Sequence, residues 1–257
     1  MQKMKDKTVL ITGATSGIGE ASARKFASLG AKLILCGRRL ERLKKLSIEF
    51  KELYNNDPYY LSFDITKKND VEKFYENIPH AYKDIDILIN NAGLALGLEK
   101  MQEASIIDWE TMIATNINGL LYITRLVLPN MINKNSGHII NIGSIAGHGV
   151  YSKGVVYCGT KHAIRTLSQG LRMDLCGTKI KVSLIEPGIV QTEFSLVRNR
   201  GNAEAAENTY KGIVPLLPQD IAEAILYCIN SPMHINIDQL VIMPLDQASL
   251  TMSNRSQ

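Results

Sequence analysis

The chain has 257 residues, 45% hydrophobic and 21% charged, enough apolar content for a sizeable core and too much for a disordered chain. Its net charge of +4, from 29 basic and 25 acidic residues, is too small for a nucleic-acid surface unless the cations cluster, and they gather only in GRRLERLKK from Gly37 to Lys45. Cys36, Cys158, Cys176 and Cys228 form no C-x-x-C pair and accompany no histidine cluster, so reduced thiols and no metal are expected.

In chain order, KTVLITG (7–13) is a short β-branched run closed by glycine and predicts a buried strand. GIGEASARKFASLG carries apolar residues at helical spacing and stops at Gly30. AKLILCG is the second strand, and RRLERLKKLSIEFKEL an amphipathic helix with a basic outer face. YYLSFDI, then KKNDVEKFYENIPHAY, repeat the strand–helix pair, and IDILINNAG is the fourth strand. A long helix is expected from Asp108 to Asn133, GHIINIGS as the fifth strand, and a helix from Val155 to Leu175. KVSLIEPG is the sixth strand, residues 219–229 a helix and DQLVIMP the last strand.

This alternation predicts right-handed βαβ units. The expected fold class is α/β, a Rossmann-type doubly wound parallel sheet of about seven strands with helices on both faces. One domain over 1–257 is expected, with no repeat or low-complexity linker. Residues 188–218 are polar and longer than a usual connection, which predicts a substrate loop or lid. No apolar run is long enough for a bilayer, and MQKMKDKTVLITG enters structure without a signal-like segment, so no membrane partner and a cytoplasmic location are expected.

TGATSGIG, Thr12 to Gly19, joins the first strand to the first helix, where a dinucleotide pyrophosphate sits in such sheets. Gly13 permits the tight turn, while Gly17 and Gly19 allow close approach of phosphate and of helix to strand. The spacing is not G-x-G-x-x-G. At the end of the second strand, where an acid would bind the adenosine ribose of NAD, stands Gly37, followed by Arg38 and Arg39. A guanidinium there matches a 2′-phosphate by charge and fork geometry, which predicts NADP (NADPH) as cofactor.

Tyr157 and Lys161 lie four apart, on one helical face. Alone that spacing is common by chance. TGATSGIG, Asp64, NNAG at Asn90–Gly93, Ser144, Tyr157-x-x-x-Lys161 and Pro187-Gly188, in this order, resemble the single-domain short-chain dehydrogenase/reductase family over about the whole chain. NNAGLALGLEK, GHIINIGSIAG, IEPGIVQTEFSLVR and INIDQLVIMP resemble its NADP-dependent 3-hydroxy acid dehydrogenases, a group also described as serine or L-allo-threonine dehydrogenases and malonic semialdehyde reductases.

The resemblance implies a tyrosine whose pKa is lowered by the lysine ammonium and the oxidised nicotinamide, so that it can exchange a proton with the substrate oxygen. It implies that Lys161 also holds the nicotinamide ribose and that Ser144 polarises the carbonyl. Asn116 would hold a water linking Lys161 to solvent. Thr15, Ser16, Ile18, Asn91, Ala92 and Gly93 would contact cofactor, Asp64 and Ile65 the adenine, and Pro187, Gly188, Ile189 and Thr192 the nicotinamide side. Asn90 would border the cleft. His138, His148 and His162 are taken as structural or surface residues. A homotetramer is implied through the helices carrying Asn116 and Tyr157.

In SLVRNRG, Arg198, with Arg200 second, is a candidate for a substrate carboxylate, against a solvated loop arginine. The predicted reaction is hydride transfer between NADP and C3 of a small 3-hydroxy acid. Alternatives are a 3-oxoacyl carrier-protein or general ketone/aldehyde reductase, and an inactive NADP-binding sensor. The glycine-poor tail QLVIMPLDQ disfavours the first, and the intact Ser144, Tyr157 and Lys161 disfavour the last.

Overall fold

Short β-branched runs form the strands of the computed structural model, which describes residues 4–256. They are β1 (Thr8–Thr12), β2 (Lys32–Gly37), β3 (Tyr59–Ser62), β4 (Ile87–Asn90), β5 (Gly137–Ile142), β6 (Ile180–Pro187) and β7 (Gln239–Ile242). They make one sheet, ordered β3-β2-β1-β4-β5-β6-β7, with every pair parallel. Order reverses between β1 and β4, so a crevice opens beyond their carboxyl ends, the place where such sheets bind ligands.

Strand alternation sends side chains to opposite faces. Val9, Ile11, Leu33 and Leu35 pack with Phe26 of α1 (Gly17–Ser28), Leu43 and Phe50 of α2 (Leu40–Tyr54) and Ile221 and Ile225 of a helix over Pro218–Ile229. Leu10, Ile34, Leu88 and Val182 pack on the other side with Phe74 of α3 (Lys68–Asn77) and with Ile123, Val127 and Met131. The sheet is therefore covered on both faces, as its apolar strands require.

The helix expected over Asp108–Asn133 starts earlier and is interrupted. α4 (Ile106–Ile113) leads into a π turn, Ala114–Asn118, before α5 (Gly119–Asn133). A π turn inserts one residue into the helical ladder, and such bulges gather at functional sites. α6 (Val155–Asp174) follows β5. The segment 188–218 is less irregular than its composition predicts. It holds α7 (Phe194–Arg198) and α8 (Ala203–Asn208), the latter capped by Asn202, whose Oδ1 accepts the Ala205 N–H. α9 (Pro218–Ile229) closes the sequence of helices. No described helix is long and apolar enough to cross a membrane, and no described cluster could hold a metal.

Candidate active site

A cleft runs along the carboxyl ends of β1, β2, β4, β5 and β6. At one end stand Gly13, Thr15, Ser16, Gly17 and Ile18, with Arg38, Arg39, Asp64 and Ile65 beside them. Asn91, Ala92 and Gly93 form the floor, and Ser144, Tyr157, Lys161, Pro187, Gly188 and Thr192 the far end. Gly19, Ile189, Asn116 and Arg198 lie outside this lining.

The glycine turn is built for close approach. Gly13 has φ +66 and Gly17 φ +54, and a Cβ on Gly13 would stand 2.9 Å from the Ala92 Cα. Gly19 is a packing residue instead, since a Cβ there would meet the Gly13 carbonyl oxygen at 2.3 Å. Ser16 precedes α1 in extended conformation but its side chain caps nothing in the helix. The first amides of a helix attract anions, and here they face a cleft with arginines at its edge. These features fit a phosphorylated dinucleotide.

Arg39 donates to Thr15 Oγ1 at 3.0 and 2.8 Å and to Ser16 Oγ at 2.6 Å. Its Nη1 donates to Glu193 Oε2 at 2.6 Å, and Arg42 Nη1 donates to Glu193 Oε1 at 2.8 Å. Glu193 lies just before α7, and its carboxyl is held below the ordinary range by these two arginines, which outweigh the opposing effect of burial. Sequence reasoning did not single out Glu193 or Arg42, because the contact joins residues about 150 positions apart in sequence. Arg38 is exposed, with no ion pair among the described residues.

At the far end, Ser144 Oγ accepts the Ala146 N–H at 3.1 Å and caps the short turn Ile145–Gly147. Lys161, 7% exposed, donates from Nζ to the Ile142 carbonyl at 2.9 Å and stands 5.8 Å from the Tyr157 ring centroid. Burial lowers its ammonium to about 8, against the upward pull of Glu186. The Tyr157 phenol differs from expectation. Burial pushes it well above its ordinary value, and Ser144 and Arg198 oppose this only in part. With the protein's own groups alone, Tyr157 is a neutral phenol, suited to giving a proton.

Three further side chains are held by protein partners. The Asn116 side chain is occupied by protein, accepting from Leu94 N–H at 2.8 Å and donating to Leu94 O and Thr160 Oγ1 at 2.9 and 3.0 Å. It clamps the loop that runs from β4 to Leu94. Asn90 is buried and donates to Thr124 Oγ1 and Asn141 Oδ1, each at 2.9 Å, so it braces the sheet behind the cleft. Arg200 is paired with Asp108, which removes it as a free cation.

Arg198 is different. Its guanidinium carbon sits 5.1 Å from the Tyr151 ring centroid and 5.6 Å from that of Tyr157, with no ion pair among the described residues. Its Nε is buried and has no hydrogen-bond partner, as is the Tyr151 hydroxyl. The Arg198 carbonyl accepts the Gly97 N–H at 3.1 Å, and the residue lines a small second cavity that also reaches Tyr157. Phe194 covers Tyr157 from α7, ring centroids 5.5 Å apart.

A parallel sheet with a glycine turn at its switch point and a Ser–Tyr–Lys group across the crevice defines a dinucleotide-dependent oxidoreductase. The short chain dehydrogenase family model matches residues 7–203, and the chain belongs to that family. It is 47% identical over 241 residues to a serine 3-dehydrogenase of Agrobacterium fabrum, covering 94% of this chain and 95% of that one. It is also 47% identical over 241 residues to the NADP-dependent 3-hydroxy acid dehydrogenase YdfG of Escherichia coli K12, covering 93% and 96%. A solved closed form of serine dehydrogenase complexed with NADP+ superposes with a TM-score of 0.91 at 46% identity, covering 97% of this chain and all of that one.

Proposed function

We propose that this chain is an NADP-dependent dehydrogenase of small 3-hydroxy acids, acting at C3 of serine, L-allo-threonine or 3-hydroxypropionate-type substrates. The observation that carries the substrate class is Arg198, an unpaired guanidinium over the catalytic tyrosine with a buried, unpartnered Nε. A carboxylate there would satisfy a cation that otherwise lacks one. The names of the relatives support the same class.

Gly13, Gly17 and the start of α1 would hold the pyrophosphate, Arg38 and Arg39 the 2′-phosphate, and Lys161 the nicotinamide ribose. Asn91, Ala92 and Gly93, with Pro187, Gly188 and Thr192, would line its path. When bound, NADP supplies the hydride acceptor for oxidation and the donor for reduction. Ser144 Oγ donates to the substrate oxygen, and Tyr157 gives that oxygen a proton in reduction. In oxidation, Tyr157 takes the proton, with Lys161 supplying positive charge behind it. Phe194 and Val197 of α7 exclude water from the reacting end.

We read the chain as one catalytic domain, supported by its single sheet, and as a homotetramer. Ile107 of α4, Ile132 of α5 and Val155 and Met173 of α6 are exposed apolar residues that suit subunit contacts. A monomer by light scattering at micromolar concentration would overturn the tetramer. The four free thiols suit the reducing cytoplasm.

Arg198→Met tests the substrate class. KM for 3-hydroxy acids should rise roughly 10- to 100-fold, the value of a charge-assisted bond, while a methyl ester of the same acid changes little. Equal loss on acid and ester would refute a carboxylate clamp.

A further inference from the structure

Behind the reacting groups lies a carboxylate that proton transfer at Tyr157 does not use. Glu186, near the end of β6, is 0% exposed. Its Oε2 is 2.8 Å from His148 Nε2, while Oε1 is buried with no hydrogen-bond partner. A buried carboxyl oxygen without donors is costly, which leaves His148 as the hydrogen-bond partner of this side chain among the described residues. A Cβ built on Gly147 would lie 3.3 Å from Glu186 Oε1 and 3.0 Å from the Lys161 carbonyl oxygen, so Gly147 lets the turn pack between Glu186 and the α6 backbone. A Cβ on Gly143 would lie 3.0 Å from Glu186 Cγ.

The carboxylate thus sits against the turn that carries Ser144. That turn is fixed at its start by Ser144 Oγ on the Ala146 amide, and at its end by His148 on Glu186.

We propose that Glu186 and His148 are a positioning pair for the dehydrogenase reaction: their hydrogen bond ties the turn that carries Ser144 to β6 and so holds the Ser144 hydroxyl in place. This rests on the assignment of Ser144, Tyr157 and Lys161 as the reacting group, and adds a residue pair acting through them.

In carbonyl reduction, His148→Ala should lower kcat about tenfold with KM retained, and His148→Gln, which returns a donor to Glu186, should recover most of it. Glu186→Gln keeps the shape and an acceptor for His148 and should stay near wild type, whereas Glu186→Ala should fall as far as His148→Ala, and the double variant no further. Loss of thermal stability with kcat unchanged in His148→Ala, or a double variant slower by the product of the two single losses, would overturn the positioning role. If no 3-hydroxy acid turns over yet reduction of a simple ketone shows this same pattern, the substrate reading fails and the pair stands.

Discussion

Replacing Arg39 with alanine probes cofactor selection directly. In the wild type its guanidinium bridges Thr15, Ser16 and Glu193. A 2′-phosphate arriving there must displace Glu193. The Arg39–Glu193 pair is 41% and 39% exposed, so solvent screens it and breaking it costs at most about 1 kcal/mol. Charge-assisted bonds to the phosphate contribute about 1.5–3 kcal/mol. The net gain is about 0.5–2 kcal/mol, so Arg39→Ala should weaken NADPH binding roughly 2- to 30-fold. NADH, which lacks the phosphate, should bind nearly as before. Glu193→Gln frees the arginine and should tighten NADPH by up to about fivefold. Fluorescence titration of both nicotinamides against wild type and the two variants measures this. Equal weakening of NADPH and NADH by Arg39→Ala, or weaker NADPH binding by Glu193→Gln, would refute the reasoning.

Two further outcomes concern stability. His138 is 4% exposed, bonded to Ser183 Oγ at 2.9 Å, and burial with the nearby Lys181 lowers its imidazole to about 3. The unfolded chain therefore binds the extra proton between about pH 6.5 and 3, and stability present above that range is lost as pH falls, by up to about 1.4 kcal/mol per pH unit. Urea unfolding across this range should show a shallower pH dependence for His138→Asn, and parallel curves would count against the assignment. Gly19→Ala places a methyl 2.3 Å from the Gly13 carbonyl, a backbone atom that cannot swing away. It should cost about 1–3 kcal/mol, seen as a Tm drop of about 2–4 °C for each kcal/mol, with weaker NADPH binding. An unchanged melting curve would show that the loop yields.

What could be read from sequence is what is local. The β-branched run before Gly13, the glycine turn and the Tyr157–Lys161 spacing are contiguous patterns, and β1, α1 and α6 stand where these patterns place them. The capped AEAAEN helix was also open to reading, since Asn202 precedes strong helix formers, but polar composition masked it. The π turn at Ala114–Asn118 has no local signature, and the Asn116 in it clamps Leu94, 22 residues away. Asp108 neutralising Arg200, Glu193 bridging two arginines and Glu186 meeting His148 are tertiary encounters. Their residue types are ordinary in a sequence, and only the fold brings their charges together. The raised Tyr157 phenol has the same origin, since burial by Phe194 and its neighbours is invisible in the motif.

The most direct test follows nicotinamide absorbance with purified protein, NADP+ or NAD+, and a panel of 3-hydroxy acids and simple secondary alcohols, with Tyr157→Phe as control. Turnover with NADP+ on 3-hydroxy acids, absent with simple alcohols and lost in Tyr157→Phe, is the expected result. Preference for NAD+, faster turnover of uncharged alcohols, or activity surviving in Tyr157→Phe would contradict the proposed dehydrogenase.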